Sequence, residues 1–160
     1  MIQLKKLKEK WVFESINDFH SIDIDVMQTF QSKNNVVLPN DLEEYFKRLN
    51  GTGGEYTDEL YEFYSIDRVK KVSEEFQDWE GVPSYQTLLD LKDIKNLFVF
   101  ANFSFNLLVY AIKLYPARRN TNEVYVLCGE EYKKIANTFS EFLELYLNDS
   151  VELQLNKEES

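Results

Sequence analysis

"VVLPNDLEEYFKRLNGTGG", residues 36–54, holds a lead-in, a helix and a stop in one short run. Pro39 disfavours helical geometry at Leu38, so Val36-Val37-Leu38 is predicted as a short strand or extended segment. Asn40 suits the N-cap, and Glu43 is spaced to reach back to its backbone N–H in a capping box. Leu42, Tyr45, Phe46 and Leu49 recur at i, i+3, i+4 and i+7, which makes one apolar stripe. Lys47 and Arg48 sit where the negative end of the helix dipole favours cations. Gly51, after Asn50, can take the left-handed conformation that ends a helix. The local signals agree on a helix over 40–50. Gly51-Thr52-Gly53-Gly54 follows that helix and lacks a downstream Gly-Lys-Ser/Thr, so it does not read as a phosphate loop.

Toward the N-terminus, Leu4, Leu7 and Trp11 share a helical face while Lys5, Lys6, Lys8 and Lys10 point elsewhere. The first twenty residues read as a short helix or as an arm packed on the domain. The stretch 21–25 supplies caps for a second helix in which Val26, Met27 and Phe30 share one side, ending near Asn34-Asn35.

Beyond the opening stretch, the aromatic run 60–66 has strand character, and Asp67 can cap a short helix with Val69, Val72 and Phe76 inward. The pattern dissolves over 77–93 around Gly81-Val82-Pro83, a predicted long loop. The runs 97–101 and 107–112 are apolar throughout and are expected at the centre of a sheet. Strands over 123–127 and 132–136 follow after short turns, which implies an antiparallel meander. Thr138 and Glu141 form a second capping signal, Thr-x-x-Glu, with a stripe of Phe139, Phe142, Leu143 and Tyr146. Residues 151–155 alternate as a weak strand, and 156–160 are expected to fray. The predicted class is α+β: a central antiparallel β-sheet packed by N-terminal and C-terminal helices, in one domain over 1–160.

Twenty-eight acidic against eighteen basic residues give a formal charge of -10. Such a surface repels phosphate backbones, so direct nucleic-acid binding is not expected, whereas a basic protein would be attracted over long range. No signal-like leader and no apolar run of spanning length is seen, which makes the cytoplasm the expected compartment and excludes a membrane partner. The lone Cys128 forms no internal disulfide and reads as a small hydrophobe; the single His20 reads as a surface residue. Acidic pairs such as Asp23/Asp25, Glu43/Glu44 and Glu130/Glu131 fall on solvated faces or turns, without the two contrasting environments that acid–base chemistry needs. No catalytic residue, cofactor or metal site is predicted.

Acids and aromatics interleave in two stretches: Glu55, Tyr56, Asp58, Glu59 and Glu62, then Glu74, Glu75, Asp78, Trp79 and Glu80. Rings within a charged rim suit a protein interface, so these ten residues are the candidate partner-binding face. The other reading places the aromatics in the core and leaves the acids to solvation.

The order of these pieces resembles the SUKH superfamily, named in part for a yeast cell-wall regulator family. The resemblance rests on Leu38-Pro39-Asn40-Asp41-Leu42, Phe46, Leu49-Asn50-Gly51, Phe98-Val99-Phe100-Ala101, Tyr110-Ala111-Ile112 and Thr138-Phe139-Ser140-Glu141-Phe142-Leu143, and spans about 24–147. Where members often carry a glycine-containing turn between central strands, this chain has Asn102-Phe103-Ser104-Phe105-Asn106. The resemblance implies a non-enzymatic α+β domain. In bacteria such domains act mainly as immunity proteins that bind toxins, many of them nucleases; in eukaryotes relatives act as interaction or regulatory modules. The expectation is therefore a monomeric or weakly dimeric immunity protein that neutralises a basic toxin stoichiometrically. A regulatory adaptor of the same fold is the alternative, and a carboxylate-dependent hydrolase the third reading.

Overall fold

A computed structural model describes residues 2–90 and 94–155. The end of the predicted 77–93 loop and the tail expected to fray lie outside the described residues. The N-terminal segment is a helix, α1 (Ile2–Phe13), with Leu4, Leu7 and Trp11 buried as its stripe requires. In α2 (Ile24–Asn34) the Asp23 carboxylate accepts from the Val26 N–H, and Asn35 closes the helix in the left-handed region at φ 53°. Met27 and Phe30 are buried there, but Val26 stays 40% exposed and does not join the core.

The opening stretch forms α3 (Asn40–Arg48) with Leu42, Tyr45 and Phe46 inward. Its expected capping box is absent. Pro39 already supplies the extended residue before the helix (φ -68°, ψ 157°), and its carbonyl accepts from the Glu43 N–H. Asn40 and Glu43 turn instead to Arg118, which bonds to the Asn40 side chain and the Leu38 carbonyl and pairs with Glu43 at 3.4 Å. Helical geometry ends at Leu49, with Asn50 at φ 55° and Gly51 at φ 88° turning the chain toward the sheet. A Cβ on Gly51 would lie 2.6 Å from the Phe63 carbonyl oxygen, so close backbone approach as well as φ demands glycine.

Six antiparallel strands follow: β1 (Tyr61–Phe63), β2 (Lys70–Lys71), β3 (Leu97–Phe103), β4 (Leu108–Lys113), β5 (Val124–Cys128) and β6 (Glu131–Ala136). The order is β1-β3-β4-β5-β6, and β2 also pairs with β3, so β1 and β2 share one edge of it. The helix expected after Asp67 is split into a 3₁₀ turn over Ile66–Arg68, strand β2, and a single-turn α4 (Val72–Glu75). Val69, Val72 and Phe76 are nonetheless buried, as expected. The predicted tail strand is a 3₁₀ turn over Val151–Leu153, held where the Tyr110 hydroxyl donates to the Leu153 carbonyl.

Strand alternation divides the residues of β1 between two faces. Tyr61 and Phe63 meet the helices: Phe63 lies 5.0 Å from Trp11 and Tyr61 5.1 Å from Tyr146 between ring centroids, and the Trp11 indole N–H donates to the Tyr146 hydroxyl. The final helix, α5 (Phe139–Leu147), adds Phe139 and Phe142 against Phe100. Asp41 joins the two motif helices: its Oδ2 accepts from both the N–H and the hydroxyl of Ser140, each at 2.8 Å, in the first turn of α5. Glu62 and Asn102, paired in register, look toward the opposite face, where Phe76 stacks on Tyr85 at 4.1 Å.

Candidate functional site

The loop that leads into β1 seals its outer edge. Thr52 donates its N–H to the Phe63 carbonyl and accepts the Phe63 N–H on Oγ1, and Thr57 does the same for Tyr61. That seal holds residues 55–60 along the sheet. Glu55, Asp58 and Glu59 are exposed; Glu59 pairs with Lys10 at 3.2 Å, and the Asp58 N–H is taken by Glu14. Tyr56 is half-buried, with its ring 4.4 Å from Phe105 and its hydroxyl donating to Asn102 Oδ1. Burial pushes the Tyr56 hydroxyl pKa up.

Asn102, 2% exposed, organises the polar side of the sheet. Its amide donates to the Tyr64 hydroxyl at 2.9 Å and to Glu62 Oε1 at 3.4 Å; its Oδ1 also accepts from the Asn106 N–H. Glu62 is buried, and its other oxygen pairs with Arg68 at 3.1 Å. The Arg68 guanidinium lies over the Tyr64 ring at 4.0 Å. Glu75 is half-buried, and burial raises its carboxyl above the ordinary value despite the attraction of Arg68 and Lys70, with Glu62 adding to the rise. Both oxygens of Glu62 are engaged, whereas Glu75 Oε1 is buried without a hydrogen-bond partner among the described residues, and neither side chain is among the exposed acids.

The second stretch lies on the same side of the sheet. Glu74, Asp78 and Glu80 are exposed, and among the described residues no cation pairs with their carboxylates. Trp79 is half-buried, packed edge-on against Phe76, and its indole N–H donates to the Pro83 carbonyl at 2.8 Å. Asp78, Trp79 and Glu80 line a shallow depression of about 430 Å³ with Gly81, Ser84 and Gln86. Of the ten predicted residues, Tyr56, Glu62 and Glu75 converge around Asn102 and Arg68. Glu55, Asp58 and Glu59 flank that cluster in the loop before β1, and Glu74, Asp78, Trp79 and Glu80 flank it in and after α4.

Two further features lie outside the ten predicted residues. One is a groove of about 520 Å³ between α2 and the 66–74 segment, with Val26, Phe30, Ile66 and Val69 on its walls. Its trace in the sequence is an apolar band in α2 wider than one buried stripe needs, since Ile24 and Val26 stand beside Met27 and Phe30. The other is the β3–β4 turn, where Ser104, Phe105 and Asn106 all have positive φ. His20 is exposed and lies 3.0 Å from Asp18, and Cys128 is half-buried. Among the described residues no group of three or more His, Cys, Asp and Glu side chains could hold a metal ion. No described helix is long and apolar enough to cross a membrane.

No curated protein and no solved structure matches the chain. The profile of one family does, over residues 21–145, which takes in α2, α3, the whole sheet and most of α5. That span includes both ends of the Asp41–Ser140 contact and the Asn50-Gly51 turn on which the helices and sheet depend. The match covers well over half of the sequence, and the chain belongs to the SMI1 / KNR4 family (SUKH-1).

Proposed function

We propose that this chain is a cytoplasmic immunity protein that binds a basic toxin, such as a nuclease, one to one and blocks it without turnover. Membership of the SUKH family is consistent with such a role. The observation that carries the proposal is that the exposed carboxylates of Asp78 and Glu80 line one depression with the half-buried Trp79 and, like that of Glu74 in the helix before them, have no cation partner among the described residues. Carboxylates left unpaired in a chain of charge -10 draw a cationic surface and stand in for the phosphates a nuclease would hold. The indole supplies an apolar contact within that charge.

The test is survival of cells that co-express this chain with the toxin domain encoded next to it, followed by isolation of a one-to-one complex. The triple variant Glu74→Lys, Asp78→Lys, Glu80→Lys should slow association by roughly 10-fold or more at low salt and flatten its salt dependence. Cell death in the presence of the well-expressed wild type would end the immunity reading. Unchanged association kinetics in the triple variant would remove residues 74–80 from the face.

A further inference from the structure

Three apolar side chains stand in solvent at one end of the sheet: Phe105 is 64% exposed, Leu107 46% and Leu60 41%. They belong together, because the Leu60 carbonyl accepts from the Ser104 N–H at 2.8 Å and Phe105 rests against Tyr56. Two of them also occupy backbone that disfavours a β-carbon, with Leu60 at φ 72° and Phe105 at φ 56°. Glycine would relieve both positions, and neither side chain is buried in the core. Apart from the contact of Phe105 with the Tyr56 ring, internal packing gives no reason for these two large residues to be there.

The turn that carries Phe105 is held from several sides. Asn102 takes the Asn106 N–H, the Tyr85 hydroxyl donates to the Asn106 carbonyl at 2.8 Å, and the Leu107 N–H donates to the Ser104 carbonyl. An aromatic ring presented on a fixed turn loses little freedom on docking. The loop packed against it carries Glu55 and Asp58, both exposed, on either side of Tyr56, while the Glu59 carboxylate is taken by Lys10. That acidic flank selects the occupant: two copies of a chain of charge -10 would set acid against acid, whereas a basic surface is complementary.

We infer that the Phe105 turn, with Tyr56, Leu60 and Leu107, is the anchor of a protein interface whose partner offers an apolar pocket rimmed by Lys or Arg. The inference rests on the immunity reading above and moves the centre of the contact from Trp79 to the β3–β4 turn. The variants are Phe105→Gly, which suits the backbone while removing the ring, and Leu107→Ser, which leaves the strained positions untouched. The probe is the neighbouring toxin domain in purified form, with binding followed kinetically and each variant's fold checked by melting. Wild type should bind, and each variant should bind about 30-fold or more weakly, chiefly through faster dissociation. If wild type binds and both folded variants match it, the anchor is wrong while the immunity reading stands. If wild type neither binds nor protects, both fall. A wild-type dimer that Phe105→Gly dissociates would overturn the inference by making a second copy the occupant.

Discussion

Replacing Asp41 by Ala should cost far more than its half-buried position suggests, because its carboxylate is the polar link between α3 and α5. Oδ2 accepts two hydrogen bonds of 2.8 Å from Ser140, and Oδ1 accepts one from the Leu42 N–H. A hydrogen bond to a charged group contributes roughly 1.5–3 kcal/mol when well shielded. Asp41 and Ser140 are only half-buried, so water recovers part of that in the variant, and about 2 kcal/mol is a fair total for the two bonds across the helices. A negative charge at the start of α5 adds about 0.5 kcal/mol through the helix dipole. The sum, about 2.5 kcal/mol, corresponds to a melting temperature lower by roughly 5–10 °C in a chain of this size.

Calorimetry and urea unfolding measure that loss directly, and a cycle with Ser140→Ala localises it. Ser140→Ala removes the hydroxyl donor but keeps the backbone N–H, so it should cost about 1 kcal/mol. The double variant should then be less destabilised than the sum of the two by about 1 kcal/mol, because one hydrogen bond is counted twice. A loss within about 0.5 kcal/mol for Asp41→Ala, or strict additivity, would refute the coupling of the two helices through this carboxylate.

Gly51→Ala should destabilise by about 3 kcal/mol, from positive φ together with a Cβ pressed on the backbone of the β1 segment. Urea unfolding would read it, and a loss under about 1 kcal/mol would mean that this backbone yields. Glu75→Gln should stabilise the protein near neutral pH. Burial raises the Glu75 carboxyl above its ordinary 4.5, so its favourable contribution is complete below that value and is lost as pH rises through the higher folded value. The advantage of Gln should therefore shrink on acidification; a gap that widens as pH falls would contradict the assigned cause.

The two motif helices were legible because their signals are local. A stripe at helical spacing, a Thr138 cap that accepts the Glu141 N–H at 3.0 Å, and an Asn-Gly stop all lie within one element. The central strands were legible because β3 and β4 are buried on both faces and read as continuous apolar runs. What failed depends on distant partners. Asn40 leaves its capping role because Arg118 reaches it from the β4–β5 connection, and Lys70-Lys71 become a strand because β3 offers an edge. The candidate site follows the same division: the acids were visible as charge, but Arg68 meeting Glu62 beside Tyr64 is a tertiary fact that buries Glu62. The sequence likewise marked 102–106 as a turn without glycine, yet only the backbone reveals three successive residues at positive φ.

How a partner can be recognised also follows from the sheet's edges. β-strand addition needs a row of open N–H and C=O groups. At β1 those of Tyr61 and Phe63 are taken by Thr57 and Thr52, and β2 along the same edge lasts only two residues. The far edge, β6, carries Lys133 and Lys134, a poor match for a basic protein. The proposed acidic face therefore offers a partner side chains that project from sealed backbone, Asp58, Asp78 and Phe105 among them, and no open strand edge. Because those residues stand outside the core, substitutions there leave the Asp41–Ser140 contact and the aromatic packing between helices and sheet in place. A scaffold built this way can keep its fold while its exposed acidic and apolar side chains change.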